Sequence, residues 1–168
     1  MKVYTAFPDN KLSNDALASE FEDINVGRLE KKLGITSRYV ARQDETAFDL
    51  AIKACEKVDK EELGTVDFVV YCTQSPDYFL PSTACIIQEK LGLRKSCGAF
   101  DYNLGCSGYI YGLAMAKSFI QSGVASKVLL VTSETYTKLI HPTDWTNRAI
   151  FGDGATGAPG PGNTKTKD

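Results

Sequence analysis

The chain has 168 residues, 43% hydrophobic and 24% charged, the balance of a globular domain with a real core. Its 19 basic and 21 acidic side chains give a net charge of −2 with no basic block, which argues against nucleic acid or an anionic membrane as the main partner. No apolar run reaches the length of a membrane span, and Met1-Lys2-Val3-Tyr4 opens no signal-type stretch, so a cytoplasmic protein is expected.

Asn10 to Phe21 reads as a turn and a helix with Ser13 as N-cap, and Val26 to Leu33 as a second short helix stopped by Gly34. Asp44 is expected to cap an amphipathic helix from Glu45 to Val58, with Phe48, Ala51, Ile52 and Cys55 on one face and Asp49, Lys53, Glu56 and Lys57 turned away. Val66 to Thr73 is a nearly continuous run of strand formers, as in a strand covered on both faces. Pro76 and Pro81 frame a loop, after which Ser82 is expected to cap a helix running through Leu91 and ended by Gly92. Ala99 to Leu104 reads as a strand, Ser107 to Ser122 as a long helix closed by Gly123, and Lys127 to Ser133 as another buried strand. This alternation predicts an α/β fold: a parallel-rich sheet with helices on both faces. From Ala158 to Asp168 the sequence turns polar and rich in Pro and Gly, so residues 1–157 are expected to form the domain and 158–168 a disordered or aberrant tail.

The five cysteines, at 55, 72, 85, 97 and 106, form no CxxC pair, and the chain has one histidine, so neither a metal site nor a disulfide framework is expected. Cys55, Cys72 and Cys85 read as packing residues, and Cys97 has no evident partner. Cys106 is different. It lies where strand turns into helix, in Gly98-Ala-Phe-Asp-Tyr-Asn-Leu-Gly-Cys106-Ser-Gly-Tyr-Ile-Tyr-Gly112, with Gly105 and Gly108 on either side. A thiol at a helix N-terminus meets backbone N–H groups and the positive end of the helix dipole, which favour the thiolate. Spacing alone still favours a small core residue.

Three segments tip that balance: Tyr71-Cys-Thr-Gln-Ser-Pro-Asp-Tyr-Phe-Leu-Pro-Ser82, Asp101-Tyr-Asn-Leu-Gly-Cys-Ser-Gly-Tyr109 and Phe151-Gly-Asp-Gly-Ala155. In this order and at these separations they resemble the first half of β-ketoacyl-acyl-carrier-protein synthase III, a thiolase-fold condensing enzyme, over about Pro8 to Gly157. The resemblance implies a mixed, mostly parallel sheet with helices on both faces, one half of a five-layer αβαβα fold. It implies that Cys106 takes an acyl group from acyl-CoA or another acyl thioester, and that malonyl-acyl-carrier protein then condenses with it by decarboxylation in fatty acid biosynthesis. The Cys106 N–H would be one oxyanion donor. No cofactor is implied, and the family is homodimeric.

Further expectations follow from the resemblance. The positions of an adenine-sandwiching Trp and Arg carry Arg28 and Trp145 here, the two types exchanged, so a clamp on CoA and an unrelated surface remain equally open. Leu80, with Phe79 beside it, matches the loop residue that reaches into a neighbouring subunit's acyl pocket. Gly152, Asp153 and Gly154 would form a turn near the dimer and the active-site wall. The family's first strand looks curtailed before Phe7-Pro8. The histidine and asparagine needed for decarboxylation belong to the family's second half; His141 is not at that histidine's place and reads as a loop residue, its other role being to line the acyl tunnel entrance. Condensation by this chain alone is therefore expected to be incomplete. The alternative reading is a catalytically silent fragment or interaction module with the same fold, and the acyl primer is not fixed by these motifs.

Overall fold

The computed structural model describes residues 2–21 and 24–160. In chain order these form β1 (Tyr4–Ala6), β2 (Lys11–Ser13), α1 (Asn14–Ala18), α2 (Val26–Leu33), β3 (Ser37–Tyr39), α3 (Ala47–Cys55) and α4 (Lys60–Gly64). There follow β4 (Phe68–Cys72), α5 (Thr83–Lys90), β5 (Gly98–Tyr102), α6 (Gly108–Ser122), β6 (Val128–Glu134), a 3-10 turn (Tyr136–Leu139), α7 (Trp145–Arg148) and β7 (Gly154–Pro159).

The main sheet has the order β1-β7-β6-β4-β5. β4 runs parallel to both β5 and β6, whereas β7 lies antiparallel to β6 and β1. Alternate side chains of the central strands enter different layers. Val69, Tyr71, Leu129 and Val131 pack with Ala51, Ile52 and Cys55 of α3 and with Ala84 and Ile87 of α5. Val70, Val128 and Leu130 face Ala116, Leu113 and Phe119 of α6. Burying both faces explains why β4 and β6 read as continuous apolar runs, and each large side chain taken from water contributes roughly 1.5–3 kcal/mol. β2 and β3 form a separate antiparallel ribbon.

Helix ends follow the sequence where the capping group is local. Ser13 accepts from the Ala16 N–H at 3.1 Å, and Gly34 closes α2 at φ 69°. Two caps differ from expectation. α3 is capped by Thr46, not Asp44: Thr46 and Asp49 exchange bonds in a capping box, so Asp49 faces the helix start rather than open solvent. Glu45 lies before the helix, buried, with its carboxylate 2.5 Å from Lys53 Nζ. At α5 the Ser82 hydroxyl turns to Cys85 Sγ, and the Asp101 carboxylate of β5 accepts from the N–H groups of Thr83 and Ala84, both at 2.6 Å.

The first strand is short: the three residues of β1 are held along β7 from Tyr4↔Gly157 to Ala6↔Ala155. One boundary is corrected. The sheet does not stop at Gly157: Ala158 and Pro159 pair with Leu130 and Leu129, and the Gly160 N–H donates to Val128 O at 2.8 Å. Proline is tolerated there because β1 pairs with β7 only as far as Gly157, so at Pro159 that side of the strand is an edge. The remainder of the expected tail, 161–168, lies outside the described residues. Cys85, expected to pack, is exposed.

Asp101→Ala removes two charge-assisted bonds that join α5 to β5. The variant is expected to lose about 1–2 kcal/mol, the usual cost of a lost helix cap, measured by urea denaturation with an unchanged m-value.

Candidate active site

The three parallel strands end on one edge of the sheet, and the segments leaving their carboxyl ends build a single cleft. This is where α/β sheets commonly place ligands. Gln74 follows β4, Cys106 and Tyr109 follow β5, and Glu134 and Tyr136 come from the end of β6; Phe151 and Gly152 close the remaining side. The cleft measures about 250 Å³.

Cys106 sits in the turn between β5 and α6, exposed, two residues before the first helical residue. The turn is closed by the Gly108 N–H donating to Gly105 O at 2.8 Å. Ser107 occupies the N-cap position, but its side chain makes no capping bond. The start of α6 is fixed from below. Tyr102 Oη donates to Gly108 O at 2.6 Å, and a Cβ on Gly108 would come within 2.5 Å of Cys72 Sγ. A Cβ on Gly112 would likewise meet Tyr102 Oη and Leu130 Cδ1 at 2.5 Å. Glycine at both positions lets the helix rest directly on the sheet's side chains.

Three of the other thiols, Cys55, Cys72 and Cys97, are shielded by burial. Burial pushes Cys55 up to about 12, with the Glu56 charge adding to the effect. Burial also pushes Cys97 up to about 11, Asp67 adding and Arg94 opposing. Cys72 is raised too, by burial, although bonds with Tyr102 and Leu104 O pull the other way.

Glu134 was not legible as a site residue. Its carboxylate accepts from the Gln74 N–H at 2.7 Å and from Ser75 Oγ at 2.8 Å, tying the loop after β4 to the end of β6. Burial raises its pKa, and these bonds only partly offset that. The one signal in the sequence was an acid closing an apolar strand.

Asp153 is buried and serves as a junction. Its carboxylate accepts from the N–H groups of Ala41 (2.8 Å) and Thr137 (3.0 Å) and from Thr137 Oγ1 (2.5 Å), while its own N–H donates to Tyr39 O at 2.8 Å. Gly152 and Gly154 leave room for Tyr39 O and the Phe7 ring, each 3.0 Å from a would-be Cβ. The turn thus aims Phe151 and Gly152 at the cleft, while Asp153 points away into the protein.

Arg28 and Trp145, far apart in sequence, line one groove of about 460 Å³ together with Leu29, Lys32, Leu33 and Ile150. His141 is exposed, its Nδ1 2.8 Å from Thr143 Oγ1, and it does not line the Cys106 cleft. Phe79 and Leu80 are 97% and 87% exposed at a loop tip and do not reach the cleft within one chain. Among the described residues no cluster of His, Cys, Asp or Glu could hold a metal, and no helix is long and apolar enough to cross a membrane.

Residues 100–159 match the family described as 3-Oxoacyl-[acyl-carrier-protein (ACP)] synthase III. A β-ketoacyl-[acyl-carrier-protein] synthase III of Xanthomonas campestris pv. campestris is 40% identical over 152 residues, covering 88% of this chain and 46% of the relative. A crystal structure of a 3-oxoacyl-(acyl-carrier-protein) synthase III superposes with a TM-score of 0.90 at 43% identity, covering 94% of this chain and 48% of that one. The chain is related to 3-oxoacyl-[acyl-carrier-protein] synthase III. A 3-oxoacyl-(acyl-carrier-protein) synthase from Burkholderia xenovorans LB400 agrees, with a TM-score of 0.88 at 36% identity and coverage of 94% and 46%. The chain spans about half the length of the synthase III relatives it matches.

Alkylation of the native chain with iodoacetamide is expected to modify Cys106 and Cys85 first, leaving Cys55, Cys72 and Cys97 protected until the fold is opened. Peptide mapping by mass spectrometry checks this; early modification of Cys55 would contradict the burial described above.

Proposed function

We propose that this chain is the acyl-accepting half of a 3-oxoacyl-acyl-carrier-protein synthase III, with Cys106 as the nucleophile. The observation that carries the reading is an exposed thiol at the β5–α6 turn, in a cleft shared with Phe151 and Gly152. In the first half-reaction the Cys106 thiolate adds to the carbonyl carbon of an acyl thioester. The developing oxyanion is met by the Cys106 N–H, and collapse expels the CoA thiolate and leaves an acyl-cysteine. In the second, malonyl-acyl-carrier protein loses carbon dioxide; its carbanion attacks the acyl-cysteine carbonyl, giving a 3-oxoacyl product and returning the thiolate.

The groove between α2 and α7 suits the CoA nucleotide. Arg28 and Trp145 offer a cation and an aromatic face for adenine, and Lys32 a charge for phosphate. The reaction needs no cofactor, and the cytoplasm is the setting such soluble chemistry implies. A homodimer would place the outer edge of β5 and the exposed Phe79–Leu80 tip against a second copy, giving that tip an acyl pocket to enter. Equilibrium sedimentation is expected to show self-association; a monodisperse monomer across the micromolar range would remove the dimer from this reading.

One observation favours the silent-module alternative. The outward face of α6 carries Ile110 and Tyr111 at 65% and 57% exposure, a surface suited to covering by another domain rather than to catalysis. Incubation with acyl-CoA separates the two. The enzymatic reading expects a mass increase of one acyl group on Cys106, absent in Cys106→Ala, and no 3-oxoacyl product when malonyl-acyl-carrier protein is added to the purified chain alone. No adduct on Cys106 would favour the module, and 3-oxoacyl product from the chain alone would show that the condensing machinery is complete within it.

A further inference from the structure

Arg38, on β3, is 5% exposed, yet its guanidinium has no carboxylate within ion-pair distance among the described residues. Burying a cation is costly unless its donors meet well-placed acceptors. Here Nε has none among the described residues, and the two Nη groups find theirs on two separate segments, the β2–α1 stretch and the end of α7. Nη1 donates to Leu12 O at 3.3 Å; Nη2 donates to Asn14 Oδ1 and, at 2.9 Å, to Ala149 O at the end of α7. Asn14 passes the connection on, its Nδ2 donating to Ile35 O at 2.7 Å and to Glu30 Oε1 of α2 at 3.2 Å. One unbroken chain of bonds, Glu30–Asn14–Arg38–Ala149, therefore links α2 to α7. These are the two helices whose residues Arg28 and Trp145 wall the groove, and neither has a buried side chain of its own to hold it in place.

Resting on the reading of that groove as the CoA nucleotide site, we infer that Arg38 is a positioning residue for acyl-CoA binding, setting the separation of the two groove walls without touching the nucleotide. A hydrophobic residue could fill the space but could not bond Leu12, Asn14 and Ala149 at once, and lysine lacks the planar fork that spans acceptors on opposite sides. The second link to α7 is the Arg148–Glu20 pair, at 2.7 and 3.1 Å. It is partly solvent-exposed and so more readily screened.

Trp145 is the only tryptophan in the chain, so its emission reports on the groove directly. The test titrates acetyl-CoA into the full chain and into Arg38→Lys and Asn14→Asp, following Trp145 quenching, with far-UV circular dichroism for folding and iodoacetamide modification of Cys106 as a control. Asn14→Asp keeps an acceptor for Arg38 but loses both donor bonds and sets a charge against Glu30, so it parts α2 from the tie even if Arg38→Lys fails to fold. The expected result is saturable quenching of the unaltered chain and an acetyl-CoA affinity about tenfold weaker in the folded variants, with Cys106 modification within about twofold of the unaltered chain. Folded variants that keep the original affinity overturn the inference alone. Equal losses in binding and in Cys106 modification also overturn it, by showing general loosening. No saturable quenching in the unaltered chain removes the nucleotide reading, and this inference with it.

Discussion

The placement of Cys106 depends on how closely α6 approaches the sheet. At its first and fifth residues the helix has no side chain, and the space is taken by Cys72 Sγ, Tyr102 Oη and Leu130 Cδ1, each 2.5 Å from where a Cβ would stand. Methyl groups there would force the helix off its bed, at roughly 1–3 kcal/mol for such overpacking. The Tyr102 hydroxyl then locks the contact by bonding a carbonyl of the first turn. A helix fixed in height and register fixes the short turn before it, and with that turn the thiol and its N–H.

Around this contact, buried or half-buried carboxylates do the joining that loops cannot do for themselves. Asp101 holds the first turn of α5 to β5, Asp153 gathers Ala41 and Thr137, Asp67 accepts from Ser126 and Lys127, and Glu134 holds Gln74. Each uses an anion to satisfy backbone N–H groups that would otherwise lie unpaired, and such charge-assisted bonds are typically worth about 1.5–3 kcal/mol. Two of them, Asp101 and Glu134, lie at or near the carboxyl ends of parallel strands. Glu134 ties Gln74 of the cleft to the end of β6, and Asp101 holds the far end of the same β4–α5 connection.

What could be read from the sequence was what local pattern specifies. β4 and β6 announced themselves because both of their faces are buried, and α2 because Gly34 stops it. β7 is not legible as a strand, and its last two residues read as the start of a tail, because Gly154-Ala-Thr-Gly-Ala-Pro159 contains almost no strand former. It is a strand only because β1 and β6 pair with it on both sides and Gly157 admits Cys55 Sγ to 3.0 Å of its would-be Cβ. Neither the Thr46 nor the Asp101 cap was read, for different reasons: Thr46 is three residues from its partner but competes with the nearby Asp44 as a capping residue, whereas Asp101 lies 17 and 18 residues from the N–H groups it caps and is invisible until β5 and α5 are packed. Arg38 and Glu134 were missed for the latter reason too, since their importance lies in what distant segments bring to them.

If Cys106 carries the proposed acyl transfer, the composition of the cleft separates the two half-reactions more sharply than its shape. Forming an acyl-cysteine needs a sulfur, an N–H beside it and space for the acyl chain, all of which the β5–α6 turn and its neighbours supply. Expelling carbon dioxide from a malonyl group builds negative charge on a second thioester carbonyl, which calls for preorganised donors or a cation at that oxygen. Among the described residues the cleft lining contains no Lys, Arg or His, and its one carboxylate, Glu134, is committed to Gln74 and Ser75. An ionised Glu134 would also oppose a growing anion nearby. On the proposed reading, the cleft is suited to receive an acyl group and hold it, and the charge of the carbanion would have to be met by groups that these residues do not provide.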